Sequence, residues 1–282
     1  MNIEIRTLTE ADLDAADAIF IDAFDMTESG RAALSFVLSL QPDGRMLAIV
    51  DGTPVGLVGA VDFGPFAYIG TMGVRHAWQR RGIGYMLMER LLEWLNARGC
   101  PMARLDASAA GQHLYPKLGF VTDEETYVFR PERSIEPTRR PEPVRVARAQ
   151  DLEAIADFDA PIFGVRRAEV FRRYYAWLTD RVFLTRDETG RVSGYLFGQT
   201  RSLGPWAARR PEDAAGLLAA ALSLSYEAPP AARVPSSNAA AIELLQDHGF
   251  QRTETLAHMR RGGDKIPGQR ASLYALAGFA IG

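Results

Sequence analysis

Gly73-Val74-Arg75-His76-Ala77-Trp78-Gln79-Arg80-Arg81-Gly82-Ile83-Gly84-Tyr85 is the most informative stretch of the chain. The β-branched and aromatic run before it, Ala67–Val74, reads as a strand. The segment after it, Ile83–Ala97, reads as an amphipathic helix. Ile83, Leu87, Leu91 and Leu95 form one apolar stripe, and Glu89, Arg90, Glu93 and Asn96 lie elsewhere. Between them runs a short basic loop with two glycines. Such a junction reads either as an anion site or as a glycine-softened helix start on a solvated basic turn, and its physics suits the first. A helix N-terminus offers unsatisfied N–H groups and the positive end of its dipole. Gly82 and Gly84 have no Cβ, so a pyrophosphate can approach the backbone, and Arg80 and Arg81 add charge.

Working outward, the first half reads as mixed α and β. Strands are expected at Ile3–Leu8, Met46–Val50, Val55–Val61, Ala67–Val74, Met102–Asp106 and Phe120–Phe129. Asp51-Gly52-Thr53-Pro54 is a hairpin-type turn between the second and third of these. Helices are expected at Ala11–Phe24, Arg31–Leu40, Ile83–Ala97 and Gln112–Leu118. Runs of antiparallel strands with interspersed helices indicate an α+β fold. A dinucleotide fingerprint would take its glycines directly off the first strand of a βαβ unit, with an acidic residue ending the next strand. Here several strands and helices come first.

The 282 residues are 47% hydrophobic and 24% charged, an ordinary globular composition long enough for two domains. A net charge of −3 argues against a dedicated nucleic-acid binder. Lys117 and Lys265 are the only lysines, so the basic residues are almost all arginine, as genomic composition would produce. One cysteine, Cys100, permits no internal disulfide, and with four histidines it makes a metal site improbable. The start of the chain does not read as a signal peptide, and no apolar run is long enough to span a membrane. The expectation is a cytoplasmic protein without membrane or nucleic-acid partners.

Residues 132–142 are rich in proline and charge and read as a linker between two halves, 1–131 and 143–282. The halves share a frame. Ile5-Arg6-Thr7-Leu8-Thr9-Glu10-Ala11-Asp12-Leu13 parallels Val144-Arg145-Val146-Ala147-Arg148-Ala149-Gln150-Asp151-Leu152. Leu114-Tyr115-Pro116-Lys117-Leu118-Gly119-Phe120 parallels Leu244-Leu245-Gln246-Asp247-His248-Gly249-Phe250. This is the pattern of a duplicated domain.

The first half resembles the GNAT superfamily of N-acetyltransferases, whose acyl-CoA loop reads Gln/Arg-x-x-Gly-x-Gly/Ala. Gln79-Arg80-Arg81-Gly82-Ile83-Gly84 matches it. The resemblance implies two GNAT-like domains, each a mixed, mostly antiparallel sheet flanked by helices. It implies acetyl-CoA as co-substrate and no metal. Gln79, Arg80, Arg81, Gly82, Ile83, Gly84 and Tyr85 would cradle the CoA pyrophosphate. Met72, Gly73 and Val74 would pair with the pantetheine and offer an N–H to the thioester carbonyl. The family often places an Asn seven residues before a Tyr. Tyr115 matches the Tyr and would protonate the leaving thiolate, while Ser108 stands where the Asn would be.

The acceptor is expected to be a small-molecule or peptide amine. Asp25 and Glu28 are the residues expected to contact it, and Asp62, His76 and His113 are further candidates for a base. The second half departs from the motif. Its segment Gly204–Gly216 lacks glycines where phosphate would sit, and Pro211, Glu212 and Asp213 oppose an anion there. Asn238 is followed seven residues later by Leu245, which cannot donate a proton. The reading is a catalytic first domain moving an acetyl group directly to a primary amine, with a degenerate second domain. The alternative is a non-catalytic acyl-CoA sensor or interaction protein.

Overall fold

A computed structural model of the chain describes residues 2–132, 144–263 and 267–282. Apart from Glu132, the expected linker at 132–142 lies outside the described residues. The chain divides into two compact units. Unit 1 is Met1–Val121 with Met259–Asp264 and Phe279–Gly282, and unit 2 is Thr122–His258 with Lys265–Gly278.

Unit 1 begins with β1 (Ile3–Thr7), α1 (Leu13–Ala23) and α2 (Arg31–Leu40). It continues with β2 (Arg45–Val50), β3 (Thr53–Asp62), β4 (Ala67–Val74), α3 (Ile83–Ala97) and β5 (Ala103–Ala107). The strands lie in the order β1-β2-β3-β4-β5. The first three pairings are antiparallel and β4 runs parallel to β5.

Alternation along the strands decides what covers each face. Leu47 and Leu57 join Leu8, Leu13, Ala16, Ile19, Leu34 and Leu38 in one apolar cluster under α1 and α2. Each leucine or isoleucine of the cluster contributes about 1.5–3 kcal/mol by leaving water. The opposite face takes α3, whose stripe Ile83, Leu87, Leu91 and Leu95 is buried. Gly56 admits this helix, since a Cβ there would lie 3.0 Å from Leu87 Cδ1.

The expected helix Gln112–Leu118 is not formed. The residues after β5 make turns and then a 3-10 turn at Tyr115–Leu118. Pro116 has no N–H to give to Gln112 and its ring would clash with that carbonyl. The chain tightens instead, with Lys117 N donating to Leu114 O at 3.2 Å. The expected helix at Ala11 starts two residues later, after a 3-10 turn at Glu10–Asp12.

Unit 2 holds most of β6 (Val121–Pro131), then β7 (Arg145–Val146), α4 (Leu152–Phe163) and α5 (Ala168–Tyr175). Next come β8 (Val182–Arg186), β9 (Val192–Gly198), β10 (Ser202–Ala208), α6 (Pro211–Leu222) and β11 (Ala231–Pro235). It closes with α7 (Ala239–Asp247), most of β12 (Phe250–Arg261) and β13 (Leu273–Ala275). The strand order is β12-β6-β11-β10-β9-β8-β7, and β13 pairs with β10. As in unit 1, antiparallel hairpins precede one parallel pair, here β10 with β11.

Unit 2 also buries an ion pair. Arg167 Nε and Nη2 donate to the two oxygens of Asp159 at 2.8 and 3.1 Å, and both side chains are fully buried. The Tyr195 hydroxyl donates to Asp159 as well. Removing the carboxylate strands a buried cation. Asp159→Ala is expected to cost about 3–5 kcal/mol of stability in urea denaturation, against under 1 kcal/mol for the exposed Asp157→Ala.

Candidate functional site

The site forms where β4 leaves β5. The two strands pair only at Ala67↔Ala103 and Tyr68↔Arg104. Beyond Tyr68 no further β4–β5 pairing occurs among the described residues. On its other edge β4 stays paired with β3, but with a bulge. Gly59 faces Gly70 and Leu57 faces Gly73, so three steps on β4 match two on β3. Thr71 absorbs the irregularity with φ +52, a left-handed conformation uncommon for a β-branched residue. The stretch after Tyr68 is therefore an extended strand bent away from its parallel neighbour.

The bend places Met72, Gly73 and Val74 between two helices. A Cβ on Gly73 would meet Ala23 Cβ and Phe24 Cε2 at 3.0 Å, so the end of α1 lies on that side. Met72 faces the other way. Its Cε lies 2.8 Å from where a Cβ of Gly84 would be, with Leu114 Cδ2 at 3.7 Å and Val74 Cγ2 at 3.9 Å. The bulged strand, the start of α3 and the residue before Tyr115 thus meet at one point.

Val74 is followed by a 3-10 turn at His76–Trp78. The Gln79 side chain ties the loop back, its Nε2 donating to Val74 O at 3.0 Å. Arg80 then takes φ +59 and Gly82, the N-cap of α3, takes φ +82. The first N–H bonded within this turn is that of Met86, which reaches Gly82 O at 3.1 Å. The N–H groups of Ile83, Gly84 and Tyr85 precede it and have no intrahelical acceptor. No acidic side chain stands in the first turn of α3. A Cβ on Gly82 would meet nothing within 4 Å, so the approach to these N–H groups is open. Arg81 lies over the Trp78 ring at 4.9 Å. The Ile83 side chain is buried in the core, leaving only its backbone to a ligand. Tyr85 is exposed and its hydroxyl bonds Glu89 one turn on.

Ser108 follows β5 directly and is exposed. Its carbonyl accepts from Gly111 N at 2.9 Å and Gln112 N at 3.0 Å, which fixes the turn before Tyr115. The Tyr115 ring is buried and stands edge-on to Phe120 at 5.8 Å. Its hydroxyl lies 3.6 Å from where a Cβ of Gly111 would be. Burial pushes its pKa up to about 12, so the phenol keeps its proton throughout the neutral range.

The α1–α2 loop borders the β4 side of the site. Asp25, with φ +50, is exposed, and its Oδ2 lies 3.8 Å from His76 Nε2. Asp22 Oδ1 accepts from His76 N at 2.7 Å and lies 3.3 Å from its Nδ1. Glu28 is exposed on the same loop. Asp62 is occupied elsewhere, accepting from Arg98 Nε at 2.9 Å and Gly64 N at 2.8 Å. His113 is exposed on the turn after Ser108. Among the described residues no group of His, Cys, Asp and Glu could hold a metal ion, and no helix is long and apolar enough to cross a membrane.

Unit 2 repeats the architecture and fills it. Strands β10 and β11 pair only at Ser202↔Ala231 and Leu203↔Ala232, and β10 bulges against β9 between Leu203 and Trp206. Beyond the bulge β10 is already paired, because β13 lies antiparallel on it, Trp206 facing Ala275 and Ala207 facing Leu273. Leu276 N donates to Arg233 O of β11 at 2.8 Å, so the chain also bonds the other strand. The start of α6 carries its own carboxylates, with Asp213 Oδ2 accepting from Arg210 Nε at 2.9 Å. Asn238 caps α7, Oδ1 accepting from Ala241 N at 3.0 Å and Nδ2 donating to Leu273 O at 3.1 Å. Sequence reasoning missed both Thr71 and β13. The signal for the first was Gly70-Thr71-Met72-Gly73, a strand interrupted by glycines.

Comparisons with known proteins agree on both halves. The Acetyltransferase (GNAT) family profile matches residues 5–120. An Acetyltransferase (GNAT) domain profile matches residues 155–275. No curated protein matches the chain by sequence. Among crystal structures, a candidate acetyltransferase from Pyrococcus horikoshii is 29% identical, with a TM-score of 0.86 over 99% of this chain and 96% of that one. A GCN5-related N-acetyltransferase from Sphaerobacter thermophilus is 16% identical, with a TM-score of 0.69 over 94% and 96%. One from Anabaena variabilis is 15% identical, with a TM-score of 0.61 over 92% and 72%. The last two show likeness of fold.

The two glycines of the loop do different jobs, and substitution separates them. Gly82→Ala forces an L side chain into a left-handed conformation and is expected to cost about 1–2 kcal/mol in urea denaturation. Gly84→Ala meets only the flexible end of Met72 inside a helix and is expected to change stability by under about 1 kcal/mol.

Proposed function

Since the chain belongs to the GNAT acetyltransferase family, with two such domains in tandem, we propose that unit 1 is an acetyl-CoA-dependent N-acetyltransferase acting on a primary amine by direct transfer. The observation that carries this reading is the contrast between the two splayed strands. In unit 2 the space beside the bulge is taken by a strand of the protein itself, hydrogen-bonded to β10. In unit 1, among the described residues, no β-strand pairs with β4 there, and the first turn of the adjoining helix carries no acid. An extended, amide-bearing pantetheine arm with a pyrophosphate at one end suits both features.

Acetyl-CoA supplies an acetyl group on a thioester, an activated acyl carbon. The N–H groups of Ile83, Gly84 and Tyr85 and the charges of Arg80 and Arg81 would hold the pyrophosphate. The freed edge of β4 at Met72–Val74 would pair with the pantetheine amides and leave an N–H for the oxygen that gains charge during attack. Asp25 and Glu28 line the side from which the amine would enter, where a carboxylate favours a cationic acceptor. Transfer forms a C–N bond, breaks the C–S bond and releases an amine proton to water or a nearby carboxylate. Tyr115, which burial keeps protonated, would donate its proton to the departing sulfur. The non-catalytic reading draws on that same burial, because the phenol must reach the sulfur from a packed position.

Thermal melting of the full chain tests the cofactor. Acetyl-CoA at about 100 times its Kd is expected to add roughly 2.7 kcal/mol, an upshift of a few degrees. Gly82→Glu, which places a carboxylate at the pyrophosphate position, is expected to abolish the shift. Tyr115→Phe is expected to keep the shift and lower kcat by about 10²–10⁴-fold, read as CoA thiol release over an amine panel. Unimpaired release in Tyr115→Phe contradicts its role, and no release with any amine favours the sensor.

A further inference from the structure

A hydrogen-bonded pair of side chains sits where β4 and β5 part. Tyr68 and Arg104 form the last paired position of the two strands. Asp106 lies two residues further along β5, about 7 Å of extended chain, and so beside the gap that opens there. The Tyr68 hydroxyl donates to Asp106 Oδ2. Tyr68 is wholly buried, and the Arg104 guanidinium lies over its ring at 5.8 Å and over that of Phe66 at 4.6 Å. Asp106 itself is only half-buried. Gly70, Thr71 and Met72, on the stretch of β4 beyond the pairing, are half-buried as well, and Ser108 is exposed.

Strand alternation gives the face on which the pair stands. Tyr68 lies opposite Val61 of β3, which shares parity with Leu57 and hence with the cluster under α1 and α2. Arg104 lies opposite Tyr68, and Asp106 shares its parity, so both are on that face too. Gly73, opposite Leu57, faces the end of α1 on the same side. Met72 and the start of α3 meet on the other face. Phe279 and Ala280 lie against Gly70 on the α1–α2 face and leave Asp106 half-exposed. Two buried cations share this face, Arg104 and, across β3, Arg45, which rests on Gly59 and donates from Nη1 to Thr71 Oγ1 at 3.0 Å. Cations and a phenol donor favour the ionised form of a carboxylate. Asp25 and Glu28 lie on the loop that borders the same side.

We propose that Asp106 is the catalytic base of unit 1, which holds the acceptor ammonium in the strand gap and takes its proton, and that Tyr68 is the residue that positions it. This rests on the acetyltransferase reading of unit 1 and names the acceptor group as a primary ammonium that enters from the α1–α2 face, opposite the cofactor. The ammonium gives one proton to Asp106, which exposes the nitrogen lone pair. That pair forms the C–N bond to the acyl carbon. The C–S bond breaks and its electrons leave on sulfur, which takes the Tyr115 proton. The second proton of the nitrogen passes through water to restore Tyr115, and Asp106 returns its own to solvent. Amide, thiol and one proton result. The first transfer is uphill for an ammonium in water, and loss of its hydration in the gap lessens the climb, because desolvation disfavours the charged amine.

The test uses the full chain with acetyl-CoA and a panel of primary amines (spermidine, tyramine, lysine methyl ester and glycinamide), reading CoA thiol release across the neutral and alkaline range. Asp106→Asn, of the same shape, is expected to lower kcat/KM about 10²–10⁴-fold at neutral pH and to keep the acetyl-CoA melting shift. Without the base only the neutral amine reacts. The deficit of Asp106→Asn is therefore expected to shrink about tenfold per pH unit as pH rises toward the pKa of the amine. Asp106→Glu keeps the carboxylate and is expected to recover part of the rate. Tyr68→Phe removes the hydroxyl that favours the ionised carboxylate, and is expected to move the acid-side fall of kcat/KM up by about one pH unit. A merely structural role for the pair lowers activity alike at every pH. No deficit in Asp106→Asn, or a deficit that does not change with pH, overturns the assignment of the base. An acid-side fall that stays in place in Tyr68→Phe overturns the positioning role. No release with any amine, beside an intact melting shift, overturns the proposal, whereas a wild-type chain without a melting shift overturns the cofactor reading beneath it.

Discussion

Two parallel strands that pair for two residues and then part are the constraint around which unit 1 is built. A parted strand has exposed N–H and C=O groups on one edge, and such groups must be satisfied by water, by another strand or by a ligand. The bulge at Thr71 produces the departure while keeping β4 bonded to β3. Everything else in the site follows the direction that this bend sets. It turns Met72 toward the start of α3 and Gly73 toward the end of α1. It also fixes where the basic loop begins.

Unit 2 meets the same constraint with a different solution. Its parallel pair is equally short and its bulge falls at the corresponding place, yet β13 bonds to the open edge. Asn238 holds β13, donating from Nδ2 to Leu273 O. The helix start that could receive an anion has Glu212 and Asp213 in its first turn. These three features agree, since a strand that fills the cleft removes any use for an anion site beside it. The two units thus hold one backbone device twice, unpaired by any strand of the described residues in unit 1 and filled by β13 in unit 2.

Much of this was legible in the residues. Helix α3 begins and ends at the bounds its apolar stripe sets, and the strands of unit 1 fall within a residue or two of their expected places. The basic loop announced itself because its chemistry is local: glycines, arginines and a helix start in consecutive positions. The helix expected at Gln112 does not form because a proline inside it costs more than the local periodicity supplies. Thr71 and β13 were harder for a physical reason. A left-handed Thr is held by its surroundings, and Leu273–Ala275 has no local signature of a strand that pairs with a partner some seventy residues earlier. The burial of Arg45 was unreadable for the same reason, because only the fold reveals that its Nε and Nη2 are enclosed with no hydrogen-bond partner among the described residues.

An extended ligand that completed the open edge of β4, as β13 completes that of β10, would protect the amides of that edge. Amide hydrogen exchange of the full chain, with and without saturating acetyl-CoA, tests it most directly. Slowed exchange is expected in peptides covering Ile69–Val74 and Gly82–Met86, with Leu203–Ala208 protected alike in both states. Unchanged exchange in β4 on addition of acetyl-CoA, or new protection in β10, would contradict it.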